Sequence, residues 1–214
     1  MIKKIVLTGG PCAGKTTILS EIKKILCNKG YKVFIIKESA TELIDGGITP
    51  HEDGIGLLNF QRLILSYQYM KEEIYNKALI DNGDEKIVII YDRGMMDNKA
   101  YIGDLDFSLI LEDFSLEIGK KIDECDIFNR YDMVIHLRTS AGNRGYNLKN
   151  NKARYESESE AILLDERTMS VWSMHNNLHI VDSTVNFDDK VITVLDLIND
   201  FLMSDTLIRK KKKN

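Results

Sequence analysis

Short apolar runs alternate with longer stretches of helical spacing along almost the whole chain. Ile2-Lys3-Lys4-Ile5-Val6-Leu7-Thr8 has the length and β-branched content of a buried strand, and residues 16–29 then place Ile18, Leu19, Ile22, Ile25 and Leu26 on one helical stripe. Gly30 stops that helix, a second strand is expected over 31–36, and a short helix over 39–44. The glycines and the proline of residues 45–54 mark a loop or flap. A long helix is expected over 57–82, with Phe60, Leu63, Ile64, Tyr67, Ile74 and Ala78 on its apolar stripe and Gln61, Leu65, Gln68 and Glu72 on another face. Further strands are expected over 86–91, 131–137 and 178–181. Between the third and fourth strands, residues 95–126 read as short helices broken by Gly103 and Gly119, placed to cover an acceptor site. Helices over 157–174, with Leu163, Leu164 and Val171 inward, and over 188–203 complete the pattern. Five strands alternating with helices predict an α/β fold, a parallel five-stranded sheet with helices on both faces. The expected organisation is one domain over 1–205 and a basic, disordered tail over 206–214.

The turn after the first strand carries the chemistry. Gly9, Gly10, Pro11, Cys12, Ala13, Gly14, Lys15, Thr16 and Thr17 fit the phosphate-cradling pattern G-x-x-x-x-G-K-[ST], set between a strand and a helix as that pattern requires. Glycines let the backbone turn its N–H groups around an anion, and the helix that starts there adds about half a positive charge. Lys15 is placed to reach the β- and γ-phosphates of a nucleoside triphosphate, and the Thr16 hydroxyl to ligate Mg²⁺. Asp92 ends the third strand, where a second acidic residue holds that metal, and Arg93 follows it. A cation at that position holds a phosphoryl group or a substrate and takes no proton from water, which disfavours simple hydrolysis. Both Asn-Lys strings, at Asn98 and Asn151, lack the Asp of a guanine reader. Glu38 ends the second strand on the edge where parallel sheets bind ligands, so Glu38 and Asp92 are the candidate bases. Gln61 and Gln68 are candidates to read an acceptor's polar edge, with an ordinary solvated face as the alternative. The polar run 138–155 carries Arg138, Arg144 and Arg154 and reads as a lid over about 138–156. The inferred chemistry is transfer of a γ-phosphoryl group to a small acceptor's hydroxyl, with Arg93 and Arg154 steadying the transferring group.

Composition narrows this little further. The 214 residues carry a net charge of −4, which gives no support for nucleic acid as a partner. The basic run at 209–213 is the exception, and it leaves contact with a membrane surface open. Three cysteines at unrelated spacings suit a reducing compartment. With no apolar signal run before the first strand, a cytoplasmic location is expected.

GGPCAGKTT, the YDRG after the third strand, Phe60-Gln61, the run NNKARYESESEAILLDERTMSVW and the strand HIVDST together resemble the NadR/TRPL-translocation-defect group of P-loop proteins, over about residues 3–200. That group is described as AAA-type ATP-binding, and its fold resembles that of nucleoside and ribosylnicotinamide kinases. The resemblance implies a P-loop NTPase fold with a small lid, ATP or GTP on residues 9–17, Mg²⁺ near Thr16 and Asp92, and Arg154 reaching in from the lid. It further implies Glu38 as the base and Gln61 on a nucleoside-like acceptor. Some relatives are regulatory binders of GTP and phosphoinositide, so a non-catalytic regulatory protein stands as the alternative reading.

Overall fold

The computed structural model describes residues 2–51, 53–80, 86–141, 158–183 and 186–212. In chain order the elements are β1 (Ile2–Gly9), α1 (Lys15–Asn28), β2 (Lys32–Ile36), α2 (Ser39–Asp45), α3 (Leu57–Ile80), β3 (Ile87–Asp92), α4 (Asp97–Glu117), α5 (Glu124–Phe128), β4 (Met133–Leu137), α6 (Glu158–Val171), β5 (Leu178–Val181) and α7 (Phe187–Lys212). The five strands form one sheet in the order β2-β3-β1-β4-β5, and each pairing is parallel. This is the expected α/β architecture of a P-loop NTPase.

Side-chain alternation along the strands explains why the sheet is the middle layer. Ile5 and Leu7 of β1, Val88 and Ile90 of β3, and Ile135 of β4 face a core closed by Ile18, Ile22 and Leu26 of α1 and by Val194 and Ile198 of α7. Val6, Ile89, Tyr91 and Val134, one step out of phase, face a second core with Leu65 of α3, Phe107, Ile110 and Phe114 of α4, and Trp172. Each such side chain contributes about 1.5–3 kcal/mol by leaving water. The sheet is therefore held from both sides, and the loops at its carboxyl edge are positioned by strands that cannot shift register. Among the described residues no helix is long and apolar enough to cross a membrane.

Three elements differ from expectation. The inward face of α3 joins the two stripes: Phe60 and Ile64 are buried as expected, Gln61, Leu65, Gln68 and Glu72 are buried beside them, and Ile74 is 60% exposed. The solvated-face reading therefore fails. The buried Glu72 is satisfied: Arg130 Nε and Tyr131 Oη each donate to it, at 2.7 Å. In α6 the buried positions are Ala161, Asp165 and Thr168, and Leu163 is exposed. Residues 97–117 are divided as expected at Gly103, whose backbone (φ 83, ψ 179) is not helical and separates two helical pieces, and Gly119 lies just past their end. Finally, α7 continues to Lys212, past the expected end at 203. Leu, Arg and Lys are good helix formers, and no Gly or Pro interrupts residues 187–212.

Candidate functional site

In the turn leaving β1, the carbonyls of Pro11, Cys12 and Ala13 are each held by a side chain from another part of the chain. Thr139 Oγ1 donates to the Pro11 carbonyl, Ser140 Oγ to that of Cys12 at 3.0 Å, and Lys190 Nζ to that of Ala13 at 3.0 Å. In a trans peptide the carbonyl and the next N–H point in opposite directions. Fixing three successive carbonyls outward thus turns the N–H groups of Cys12, Ala13 and Gly14 toward the cleft, an anion-binding hollow. Gly14 caps α1 at φ 86, and a Cβ there would lie 2.5 Å from the Phe187 ring. Cys12 is held at φ 59 without being glycine, at a cost of about 1–3 kcal/mol that the bonds on this loop sustain. Lys15 Nζ lies 3.3 and 3.4 Å from the Gly9 and Gly10 carbonyls, long bonds that a phosphate oxygen can replace. Burial and the neighbouring Arg93 charge lower its pKa to about 8, against the pull of Glu38 and Asp92.

Across the cleft stand Asp92 and Arg93. Asp92 pairs with Leu7 in the β1–β3 register, and its buried Oδ1 has no hydrogen-bond partner among the described residues. Burial raises its pKa to about 6, with Lys15 pulling the other way. Arg93 sits at φ 72, and its backbone is clamped there: its N–H donates to Leu7 O at 3.1 Å, and its carbonyl accepts from Gln68 Nε2 at 2.9 Å. The guanidinium donates to Glu38 Oε1 at 2.5 Å and to Gly9 O at 3.1 Å, and it faces the Tyr101 ring at 5.9 Å. Thr41 Oγ1 donates to the other Glu38 oxygen at 2.7 Å. Burial would raise the Glu38 pKa, but Arg93 and Lys15 outweigh it and hold it at about 2.

These groups line one continuous cleft of about 930 Å³, running from the loop past Glu38 to Phe60, Gln61 and Ile64 of α3 and Asn98 and Tyr101 of α4. Glu38, Asp92, Arg93, Lys15, Thr16 and Gln61 are thus gathered as the sequence suggested. Gln68 also reaches the cleft, but its amide is engaged by the Arg93 carbonyl and by Asn98 Nδ2 at 3.4 Å. It positions Arg93. Arg138 turns away toward α6, where it pairs with Glu166 and, at 3.1 Å, with Asp165. The strand end at Arg138 therefore does not point its side chain at the phosphate loop. Arg144, Arg154 and most of the expected lid lie outside the described residues.

Three site residues escaped the sequence reading. Asp97 is buried and accepts from Thr8 Oγ1, from Gly94 N at 2.7 Å and from Trp172 Nε1 at 3.4 Å, which fixes the turn carrying Arg93. Its place four residues after Arg93 was the available signal. Asp165 accepts from Gly10 N at 2.9 Å and lies 3.1 Å from His136 Nε2. Lys190 was read only as part of a helix, and neither it nor Asp165 has a motif of its own. Among the described residues no group of three or more His, Cys, Asp or Glu side chains can hold a metal unaided. A cation that takes most of its ligands from phosphate and water suits such a site, and the unpartnered Asp92 Oδ1 and the exposed Thr16, which line the same cleft, are fitting donors for it.

A protein-family model described as an AAA domain matches residues 4–190. No curated protein matches the chain.

Proposed function

The chain belongs to the AAA-domain family, and from that premise we propose that it transfers the γ-phosphoryl group of a nucleoside triphosphate to a hydroxyl of a nucleoside-like acceptor. The observation that carries the reading is the continuity of the cleft. It extends past Glu38 into a compartment with apolar and aromatic walls (Phe60, Ile64, Tyr101) and polar groups at Gln61 and Asn98. Water needs no such room, whereas a flat heterocycle with a polar edge fits walls of this kind.

Loop N–H groups and Lys15 would cradle the β- and γ-phosphates, and Thr16 with Asp92 would hold Mg²⁺. The metal, when bound, neutralises charge on the phosphate oxygens. Arg93 is the mobile charge. Exchanging Glu38 for the transferring group would bring a cation to the phosphate and, in the same step, release Glu38 from the ion pair that holds its pKa at about 2. Glu38 then accepts the acceptor hydroxyl's proton as that oxygen bonds to the γ-phosphorus and the bond to the β,γ-bridging oxygen breaks.

The same ion pair favours a second reading. If Arg93 never leaves Glu38, the site binds nucleotide without transferring phosphate, as a regulatory protein would. A panel of nucleosides and ribosides assayed with MgATP and MgGTP separates the two. Acceptor-dependent product that vanishes in Glu38→Gln supports transfer. Tight nucleotide binding with no product from any acceptor supports the regulatory role.

A further inference from the structure

We propose that Lys190 is a positioning residue for the triphosphate, a buried cation that braces the phosphate loop from the side opposite the ligand. The proposal rests on the nucleotide reading of the loop. Lys190 lies in the first turn of α7 and is 4% exposed. Its ammonium donates to Arg138 O at 2.7 Å and to Ala13 O at 3.0 Å, so both bonds go to backbone carbonyls. Burying an ammonium is expensive, and a side chain that merely filled the space would be apolar. This one is committed to the geometry of a single peptide and to tying that peptide to the end of β4.

The consequence falls on the Ala13–Gly14 peptide. A cation on its carbonyl fixes the plane, aims the Gly14 N–H into the cleft, and polarises that N–H as a donor to an anion. Asp165 does the mirror task at the other end of the loop. It is fully buried, and its Oδ1 accepts from Gly10 N at 2.9 Å and from Thr139 N at 3.2 Å. The approach is so close that a Cβ on Gly10 would lie 2.7 Å from the Asp165 Cβ. The loop is therefore bracketed between an anion that takes its first N–H and a cation that takes its last free carbonyl. Burial lowers the Lys190 pKa to about 8, with Asp165 opposing, so the charge is present at neutral pH.

The test is equilibrium titration of a fluorescent ATP analogue with Mg²⁺ into the full chain and into Lys190→Met, Lys190→Arg and Lys15→Ala, each checked for a cooperative melt. Losing a charge-assisted brace should weaken Lys190→Met about tenfold, while Lys190→Arg stays within about threefold of the parent. Adenosine affinity should not change, which a general loss of structure would not spare. In the parent protein, the ammonium ¹⁵N resonance missing from Lys190→Arg should shift when the analogue is added, a readout that survives even if Lys190→Met does not fold. Parental affinity in folded Lys190→Met, or an unmoved ammonium resonance, overturns the proposal provided Lys15→Ala has lost binding. If Lys15→Ala binds like the parent, the nucleotide reading itself has failed.

Discussion

The two halves of the cleft are held in different ways. Around the phosphate loop, backbone carbonyls are bound one by one by Thr139, Ser140 and Lys190, and the N–H of Gly10 by Asp165. Those contacts come from the end of β4, from α6 and from α7, and no ligand needs to displace them. Across the cleft the charged groups bind one another instead, Arg93 to Glu38 and to Gly9 O, and Lys15 Nζ rests on the Gly9 and Gly10 carbonyls. A phosphate or a hydroxyl can take the place of any of those partners. On the transfer reading proposed above, the contrast is a division of labour: a rigid cradle for the donor, and charges poised to change partners for the transfer.

Glu38→Gln attacks the exchangeable side alone. It keeps size and removes the base, so turnover should fall by about 10²- to 10⁴-fold while triphosphate affinity stays nearly constant. Steady-state kinetics beside a binding titration checks this, and parallel losses in both would erase the distinction between the halves. Lys15→Ala attacks the phosphates themselves. A fall in triphosphate affinity on the order of 10²-fold is expected, with adenosine affinity unchanged, as measured by calorimetric titration.

Stability effects should be smaller. Gln68→Leu leaves the Arg93 carbonyl unpaired and should cost about 1–3 kcal/mol in urea unfolding. It also removes one of the two bonds that hold Arg93 at φ 72, so the Glu38–Arg93 pair should loosen and activity should fall with stability. Asp92→Asn should do the opposite, raising the stability of the nucleotide-free protein by about 1 kcal/mol at pH 7.5. Asp92 has a folded pKa near 6, above its unfolded value of 3.8, so its burial is unfavourable above about 6 and is relieved as pH falls toward 4. The gain should therefore shrink in melts at pH 5. A gain of equal size at both pH values would place its origin outside the carboxylate charge.

Much of this was legible in the sequence because apolar periodicity and one motif report directly on strands and on the loop. The strand β5 was read at Leu178–Val181 without error, and β1 to β4 within two residues at each end. Periodicity failed where polar side chains face inward. Gln61, Gln68 and Glu72 on α3, and Asp165 on α6, are buried because each meets a specific partner or the cleft, and no hydrophobic count registers that. Lys190 was invisible for the same reason, since a lysine in an amphipathic helix is ordinarily solvated. The placement of Glu38 and Asp92 was readable because strand ends converge on one edge of a parallel sheet. That Arg93 bridges to Glu38 was not, because it depends on a positive φ held by Gln68 and Leu7.

The central claim is that phosphate leaves a braced donor loop for an acceptor seated beside Glu38. The most direct measurement follows label from γ-labelled ATP when the full chain is incubated with Mg²⁺ and a nucleoside panel. The account predicts label on the hydroxyl of at least one nucleoside, absent with Glu38→Gln, and little release of inorganic phosphate without acceptor. Bound MgATP whose label stays in place, or appears only as inorganic phosphate whatever the acceptor, would contradict it.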